Sequence, residues 1–150
     1  MRVVLIDDHA LFRDGLTGLL ERRGIEVIAA VGDGQAGIEV VLKTTPDVIL
    51  LDLRMPEMSG ISVLSLLEKE GTEIPIVMLT TSVNKIDLAE SLRNGARGYL
   101  VKDMEPDELV VALKDIVAGK TVVAPELTGI LAELVKTGLQ ETADGLGAPF

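Results

Sequence analysis

The stretch Val48-Ile49-Leu50-Leu51-Asp52 decides the fold, because four consecutive apolar residues lead directly into one carboxylate. A strand that is buried on both faces of a parallel sheet has a continuous apolar run of this kind. Pro56 and Gly60 follow shortly afterwards and mark a turn. Ligand sites of open α/β sheets form outside the carboxyl ends of the strands. The sequence therefore predicts that Asp52 faces a crevice at that edge of a parallel sheet.

The same pattern opens the chain, where Val3-Val4-Leu5-Ile6 leads directly into Asp7 and Asp8. The carboxyl ends of parallel strands lie at one edge of the sheet, so these two acids are expected close to Asp52. Three carboxylates of this kind can bind a hard divalent cation. The alternative for each single acid is a role as a turn former or as a helix cap.

Apolar runs alternate with helical periods along the first 120 residues. The predicted strands are 3–6, 27–31, 48–51, 76–79 and 99–101. The predicted helices cover about 12–20, 35–42, 60–69, 85–93 and 106–117. Five βα units predict an α/β fold with a parallel sheet and helices on both faces, a three-layer sandwich. The flavodoxin-like order 2-1-3-4-5 would bring Thr80 and Lys102, at the ends of strands 4 and 5, beside the acids.

Composition excludes several classes of function. The formal net charge of -10 argues against sequence-independent nucleic-acid binding, which requires Lys and Arg to replace phosphate counterions. One tyrosine and two phenylalanines leave no platform for base stacking. Without cysteine, neither disulfides nor thiolate metal sites can form. No apolar run is long enough for a membrane helix or a signal peptide, so the expected location is the cytoplasm, with no membrane partner.

Over about residues 1–120 the chain resembles the receiver domains of two-component response regulators. The residues that carry this resemblance follow one another in the expected order: Asp7, Asp8, Asp52, Thr80, Tyr99 and Lys102. Asp7-Asp8-His9, Leu53-Arg54-Met55-Pro56 and Gly98-Tyr99-Leu100-Val101-Lys102-Asp103 resemble the LuxR-type (NarL/FixJ-type) branch. Each motif alone is weak, whereas the ordered set in an alternating βα chain is highly specific.

The resemblance implies that Asp52 accepts a phosphoryl group from a phosphohistidine of a sensor histidine kinase. It also implies a Mg²⁺ ion bound by Asp8, Asp52 and the backbone carbonyl of Arg54, with Asp7 bound directly or through water. Such an ion with its oxygen ligands would cancel charge repulsion between the acceptor and the phosphoryl group.

Three further residues take roles that the resemblance implies. Lys102 would stabilise charge on the phosphoryl oxygens, although a lone lysine is more often solvated. Thr80 would hydrogen-bond a phosphoryl oxygen, and Tyr99 would be a rotamer switch that fills the space Thr80 leaves. An error of one residue in the strand register would give this role to Thr81 in place of Thr80. Many receivers have alanine or glycine at the position of Thr81, and the larger threonine would narrow access to the phosphoryl group. His9 is expected to be a solvated turn residue rather than a metal ligand.

Residues 121–150 are predicted to form a linker after the receiver domain at 1–120. The apolar stripe of an amphipathic helix at about 126–137 consists of Leu127, Ile130, Leu131, Leu134 and Val135. A helix this short needs a partner surface. The candidates are its own receiver, a second copy of the chain, or an output domain. We favour a second copy, in a homodimer formed on phosphorylation. Residues 140–150 are expected to be a disordered end.

The LuxR-type branch continues into a helix-turn-helix DNA-binding domain, and the sequence reaches Phe150 without a basic recognition helix. We expect a fragment, so DNA binding would belong only to the full-length protein; a receiver-only regulator is the alternative. A Mg²⁺-dependent phosphohydrolase of small phosphate esters is a second hypothesis, but no insertion is long enough for a substrate cap. A phosphorylation-independent interaction module is a third, and it would not need the complete set of site residues. The prediction is a signalling protein, not an enzyme.

Overall fold

The computed structural model describes residues 1–138. The expected disordered end at 140–150 lies outside the described residues. The strands are β1 (Arg2–Ile6), β2 (Glu26–Val31), β3 (Val48–Leu51), β4 (Ile76–Thr80), β5 (Gly98–Val101) and β6 (Val122–Val123). The helices are α1 (Ala10–Arg22), α2 (Gly34–Thr44), α3 (Gly60–Lys69), α4 (Lys85–Arg93), α5 (Pro106–Val117) and α6 (Thr128–Thr137). No helix within these residues is long and apolar enough to cross a membrane.

The sheet is parallel throughout, in the order β2-β1-β3-β4-β5-β6. This confirms the predicted flavodoxin-like order of the first five strands. The sixth strand is an addition, because the sequence indicated only an extended segment there. It pairs with β5 through Gly98–Val122 and Tyr99–Val123, and so lengthens the sheet on the side of β5.

Two apolar layers form because successive residues of each strand point to opposite faces. Ile6 and Leu51 pack on the side of α2, α3 and α4. Leu5 and Leu50 pack on the side of α1 and α5. Every residue of β3 is buried, as expected for a central strand covered on both faces.

Side chains just before three helices fix where those helices begin. Asp33 accepts the backbone N–H of Ala36 before α2, Ser59 accepts that of Ser62 before α3, and Asn84 accepts that of Ile86 before α4. Such caps satisfy N–H groups that have no partner inside the helix. The caps therefore fix the ends of the connections that lead from β2, β3 and β4 into these helices.

Helix α6 packs on the sheet and helices of its own chain. Leu127 and Leu134 are buried in the same apolar cluster as Leu88 of α4 and Tyr99 of β5. The expectation that a second copy covers this stripe is therefore wrong for Leu127 and Leu134. Of the five stripe residues, only Val135 is largely exposed.

Candidate functional site

Backbone pairing of β1 with β3 brings the first acids to one edge of the sheet. Ile6 is in register with Leu51, so the residues that follow them, Asp7 and Asp52, emerge side by side. The N–H of Asp52 donates to the Ile6 carbonyl at 2.9 Å, and the N–H of Asp7 donates to the Val31 carbonyl at 3.0 Å. These bonds place both carboxylates on rigid elements at the predicted crevice.

Asp7, Asp8 and Asp52 form an acid cluster. One ligand atom from each of these acids and one from His9 all lie within 4.8 Å of one another. Asp7 and Asp52 are almost fully buried, and Asp8 is partly buried. Carboxylates held this close together in a buried place repel one another unless a positive charge lies between them.

Lys102 supplies such a charge. Its Nζ atom lies 2.8 Å from Asp7 Oδ2 and 3.4 Å from Asp52 Oδ2, and its side chain is only 10% exposed. The backbone N–H of Lys102 donates to the Thr80 carbonyl at 2.9 Å, which fixes the residue at the end of β5. Lys102 is therefore a buried partner of the acids and not a solvated surface lysine.

Burial is the main reason that the pKa of Asp52 is raised above its usual value. The neighbouring Asp7 raises the pKa further, whereas Lys102 lowers it. Within residues 1–138, two buried oxygens of the cluster, Asp8 Oδ1 and Asp52 Oδ2, make no hydrogen bond. Asp7 differs, because its Oδ1 accepts the N–H of His9 at 2.8 Å and its Oδ2 faces Lys102. The atoms with free lone pairs thus belong to Asp8 and Asp52, and they fit a hard cation.

Thr80 is buried at the end of β4, whereas Thr81 is exposed. This places Thr80, and not Thr81, on the buried side at this edge. Its Oγ1 accepts the backbone N–H of Ser82 at 3.1 Å and, within residues 1–138, makes no hydrogen bond to the acid cluster. The structure therefore brings Lys102 onto the acids and leaves Thr80 bonded to its own loop.

Tyr99 is completely buried, and its hydroxyl donates to the Ser82 carbonyl at 3.2 Å. Burial raises the pKa of this tyrosine, so the ring is a neutral hydrogen-bond donor. The ring lies inside in this state, and the role of Tyr99 as a rotamer switch stays a prediction. Ser82 thus joins Thr80 to Tyr99, through its N–H and its carbonyl.

Arg54 and His9 have contacts that sequence reasoning missed. The guanidinium of Arg54 pairs with Asp87 of α4, with 2.5 Å between Nη2 and Oδ2. Asp87 looked like an ordinary acid in the first turn of a helix, so no signal in the sequence singled it out. His9 is 63% exposed, yet its Nδ1 lies 3.2 Å from Asp7 Oδ1 and 3.3 Å from Lys102 Nζ. The exposure agrees with the expected solvated turn residue, whereas the contacts with Asp7 and Lys102 were not expected, although the place of His9 directly after Asp8 was a usable signal.

The family described as the response regulator receiver domain matches residues 3–114. The chain belongs to this receiver domain family. The nitrate/nitrite response regulator protein homolog of Haemophilus influenzae is 42% identical to it over 134 residues, which are 89% of this chain and 64% of that protein. The nitrate/nitrite response regulator NarL of Escherichia coli K12 is 38% identical over 141 residues, 93% of this chain and 65% of that protein. The receiver chain thus spans about 65% of the length of such relatives.

Solved structures agree with this assignment. A LuxR-family two-component response regulator from Aurantimonas superposes with a TM-score of 0.84 at 31% identity, covering 90% of this chain and 97% of that one. The receiver domain of the NarL regulator from Mycobacterium tuberculosis superposes with a TM-score of 0.76 at 34% identity, covering 79% and 97%. The chain is a receiver domain of the NarL/LuxR type, and its family consists of signalling proteins rather than classical enzymes.

Proposed function

We propose that Asp52 accepts a phosphoryl group from a phosphohistidine of a sensor histidine kinase. The observation that carries this proposal is the buried Asp52 carboxylate, which is 4% exposed and whose Oδ2 lies 3.4 Å from Lys102 Nζ. Among the described residues, this oxygen accepts no hydrogen bond. An oxygen with free lone pairs beside a fixed positive charge is what an in-line attack on phosphorus requires. The new O–P bond forms as the P–N bond to the histidine breaks, and the electron pair of that bond returns to the imidazole.

Asp52 must be ionised to attack, and burial opposes ionisation. The ammonium of Lys102 favours the carboxylate and lowers the pKa that burial and Asp7 raise. After transfer the ammonium remains within reach of the phosphoryl oxygens. Lys102 therefore stabilises the negative charge of the Asp52 carboxylate before transfer and of the phosphoryl oxygens after it. Its ion pair with Asp7 Oδ2 fixes the position of the ammonium.

The free oxygens of Asp8 and Asp52 fit a Mg²⁺ ion, and we propose that these two acids hold it, together with the Arg54 backbone carbonyl. Asp7 would contribute directly or through water, since Lys102 and the His9 N–H already occupy its oxygens. When bound, the cation would neutralise the negative charge that accumulates around the Asp52 carboxylate and the phosphoryl group.

Thr80 and Tyr99 are the proposed switch residues. The Thr80 hydroxyl accepts a bond from Ser82, so its own proton stays available to donate to a phosphoryl oxygen. Movement of Thr80 would act on Ser82, and through the Ser82 carbonyl on the hydroxyl of Tyr99. The output face would therefore include α4, β5 and α5.

We further propose that the full-length protein controls transcription through an output domain, since the relatives are named as response regulators and transcriptional regulatory proteins. Pairing of two copies on phosphorylation belongs to the same proposal. We propose that residues 1–120 form the receiver domain and that residues 121–150 form the linker to the output domain. α6, which packs beside α4, would be the first linker element to respond.

Intact mass after incubation with Mg²⁺ and acetyl phosphate tests the acceptor. The wild type should gain one phosphoryl group, and Asp52→Asn should gain none. Asp14→Asn is the matched control, because Asp14 is exposed on α1 and should leave labelling unchanged. Full labelling of Asp52→Asn would refute the assignment.

A further inference from the structure

Phe12 of α1 has its aromatic ring against Lys102, the lysine that contacts two of the buried acids. Lys102 Nζ lies over the ring, 4.6 Å from its centroid. A cation within about 6 Å of the centroid is attracted by the negative face of an aromatic ring. The phosphoryl transfer proposed above uses Lys102 but assigns no role to Phe12. The ring is therefore an unassigned neighbour of a group at the centre of the site.

The core of the protein supports the ring in this position. Phe12 is partly buried and packs against the apolar cluster that contains Leu16 of α1 and Leu109 of α5. These two leucines line one cavity together with Phe12 and Lys102. Side chains of a close-packed core have little freedom to move, so the ring has a defined place. Because the core fixes the ring, the ring can in turn fix the ammonium of Lys102.

Lys102 needs such support, because its ammonium stands at the end of a flexible four-carbon stem. Asp7 Oδ2, at 2.8 Å, and Asp52 Oδ2, at 3.4 Å, attract the ammonium through their charge. Phosphoryl transfer alters the charge on Asp52, whereas the attraction to the ring does not depend on that charge. The Lys102 side chain is almost buried, and cation–π attraction is strongest where water is excluded. The ring contact can therefore hold the ammonium in one place before and after transfer.

We propose that Phe12 is a positioning residue for phosphoryl transfer to Asp52, and that it acts through its cation–π contact with Lys102. The face of the ring keeps the ammonium where it stabilises charge on the phosphoryl oxygens while the new O–P bond forms. A leucine in place of Phe12 would fill similar space but would lose this attraction. The inference rests on the proposed function, because Lys102 has this task only if Asp52 is the acceptor.

Fluorinated phenylalanines test whether the ring acts through its electrostatic face. Each fluorine withdraws electron density from that face and weakens cation–π attraction with little change in ring size. The chain contains two phenylalanines, Phe12 and Phe150, so a Phe150→Leu background confines the replacement to Phe12. With Mg²⁺ and acetyl phosphate, the rate of mass gain should fall stepwise from phenylalanine through the mono-, di- and trifluoro rings, by roughly 5- to 30-fold in total. Equal rates for all four rings would overturn the proposal.

Two substitutions separate the ring face from the apolar volume of the side chain. Phe12→Tyr keeps the ring and should label within about twofold of the wild type, whereas Phe12→Leu should label roughly 5- to 30-fold more slowly. Urea unfolding of each variant measures any loss of packing separately. Equal labelling rates in Phe12→Tyr and Phe12→Leu would show that the ring face has no role in the transfer.

Proton NMR of the Lys102 side chain gives a measurement that does not need phosphorylation. The ring current of Phe12 should shift the ε-methylene protons of Lys102 upfield in the wild type and in Phe12→Tyr, but not in Phe12→Leu. A wild type without this shift would refute the contact and the proposal with it. If the wild type gains no phosphoryl group, the acceptor role of Asp52 is refuted together with the role of Phe12 in transfer. If the wild type is labelled and the fluorinated and Phe12→Leu proteins are labelled equally fast, only the role of Phe12 is refuted.

Discussion

Arg54 and Asp87 form an ion pair that links the segment after β3 to the first turn of α4. Asp87 Oδ2 lies 2.5 Å from the Arg54 guanidinium and also accepts the Ser82 hydroxyl at 2.6 Å. One carboxylate therefore connects the residues that follow Asp52, the residues that follow Thr80 and the helix beside them. This contact joins the segment after Asp52 directly to α4.

A double-mutant cycle with Arg54→Ala and Asp87→Asn should give a coupling energy of up to about 1 kcal/mol, because the arginine is largely exposed. Coupling should weaken in about 1 M salt, which screens exposed charges. Urea unfolding measures it. Lys120 and Asp115, an exposed pair at 3.8 Å, provide the control cycle, for which we expect a value near zero. A coupling energy for Arg54 and Asp87 no larger than that for Lys120 and Asp115 would show that the Arg54–Asp87 ion pair does not stabilise the fold.

Replacement of Asp52 by Asn should stabilise the fold at about pH 7. The pKa of Asp52 is raised in the native state, chiefly by burial, so the native state holds this proton more tightly than the unfolded state does. The stability contributed by this group therefore decreases as the pH rises above the ordinary value of 3.8. Urea unfolding should show a gain for Asp52→Asn at neutral pH that disappears below about pH 3. Asp14→Asn, an exposed control, should show no such gain, and an Asp52→Asn variant no more stable than wild type at pH 7 would contradict the argument.

Gly60 permits the close approach of α3 to the backbone of Asp52 and Leu53, directly after β3. A Cβ atom there would collide with the backbone oxygen of Asp52 and lie 2.8 Å from Leu53 Cα. The Gly60 N–H also donates to the Leu53 carbonyl at 2.7 Å. Gly60→Ala should therefore destabilise the fold by about 1–3 kcal/mol and slow the labelling of Asp52.

Gly15→Ala is the control for that substitution, because beyond the adjoining backbone of α1 its added Cβ would meet no described atom within 4 Å. Alanine inside α1 should stabilise the fold by about 0.5–1 kcal/mol. Denaturant midpoints and the rate of mass gain measure both variants. Normal labelling and stability in Gly60→Ala would mean that the loop after β3 can move without consequence.

The sequence indicated the order of the first five strands and which acids meet, because the polar residues at the strand ends form one site only in that order; it did not indicate the sixth strand. It also placed Lys102 correctly at the end of β5. It was insufficient for His9 and for the Arg54–Asp87 pair, because those contacts join separate loops whose side-chain directions depend on packing. The stripe of α6 showed that an apolar face exists. It could not show what covers that face, since a second copy and the chain's own core offer similar apolar surface.

Leu134 and Val135 offer the sharpest test of how α6 is held. Leu134 is fully buried in the cluster that contains Leu88 and Tyr99, whereas Val135 on the next position is 72% exposed. Leu134→Ala should lower the free energy of unfolding by about 2–5 kcal/mol if α6 unfolds with the domain. If α6 detaches alone, hydrogen exchange should instead become faster in α6 and in the part of α4 that it covers. Val135→Ala should change the free energy of unfolding by less than about 0.5 kcal/mol and leave exchange unaltered. Leu134→Ala and Val135→Ala variants that behave alike in both measurements would show that α6 does not pack on its own receiver.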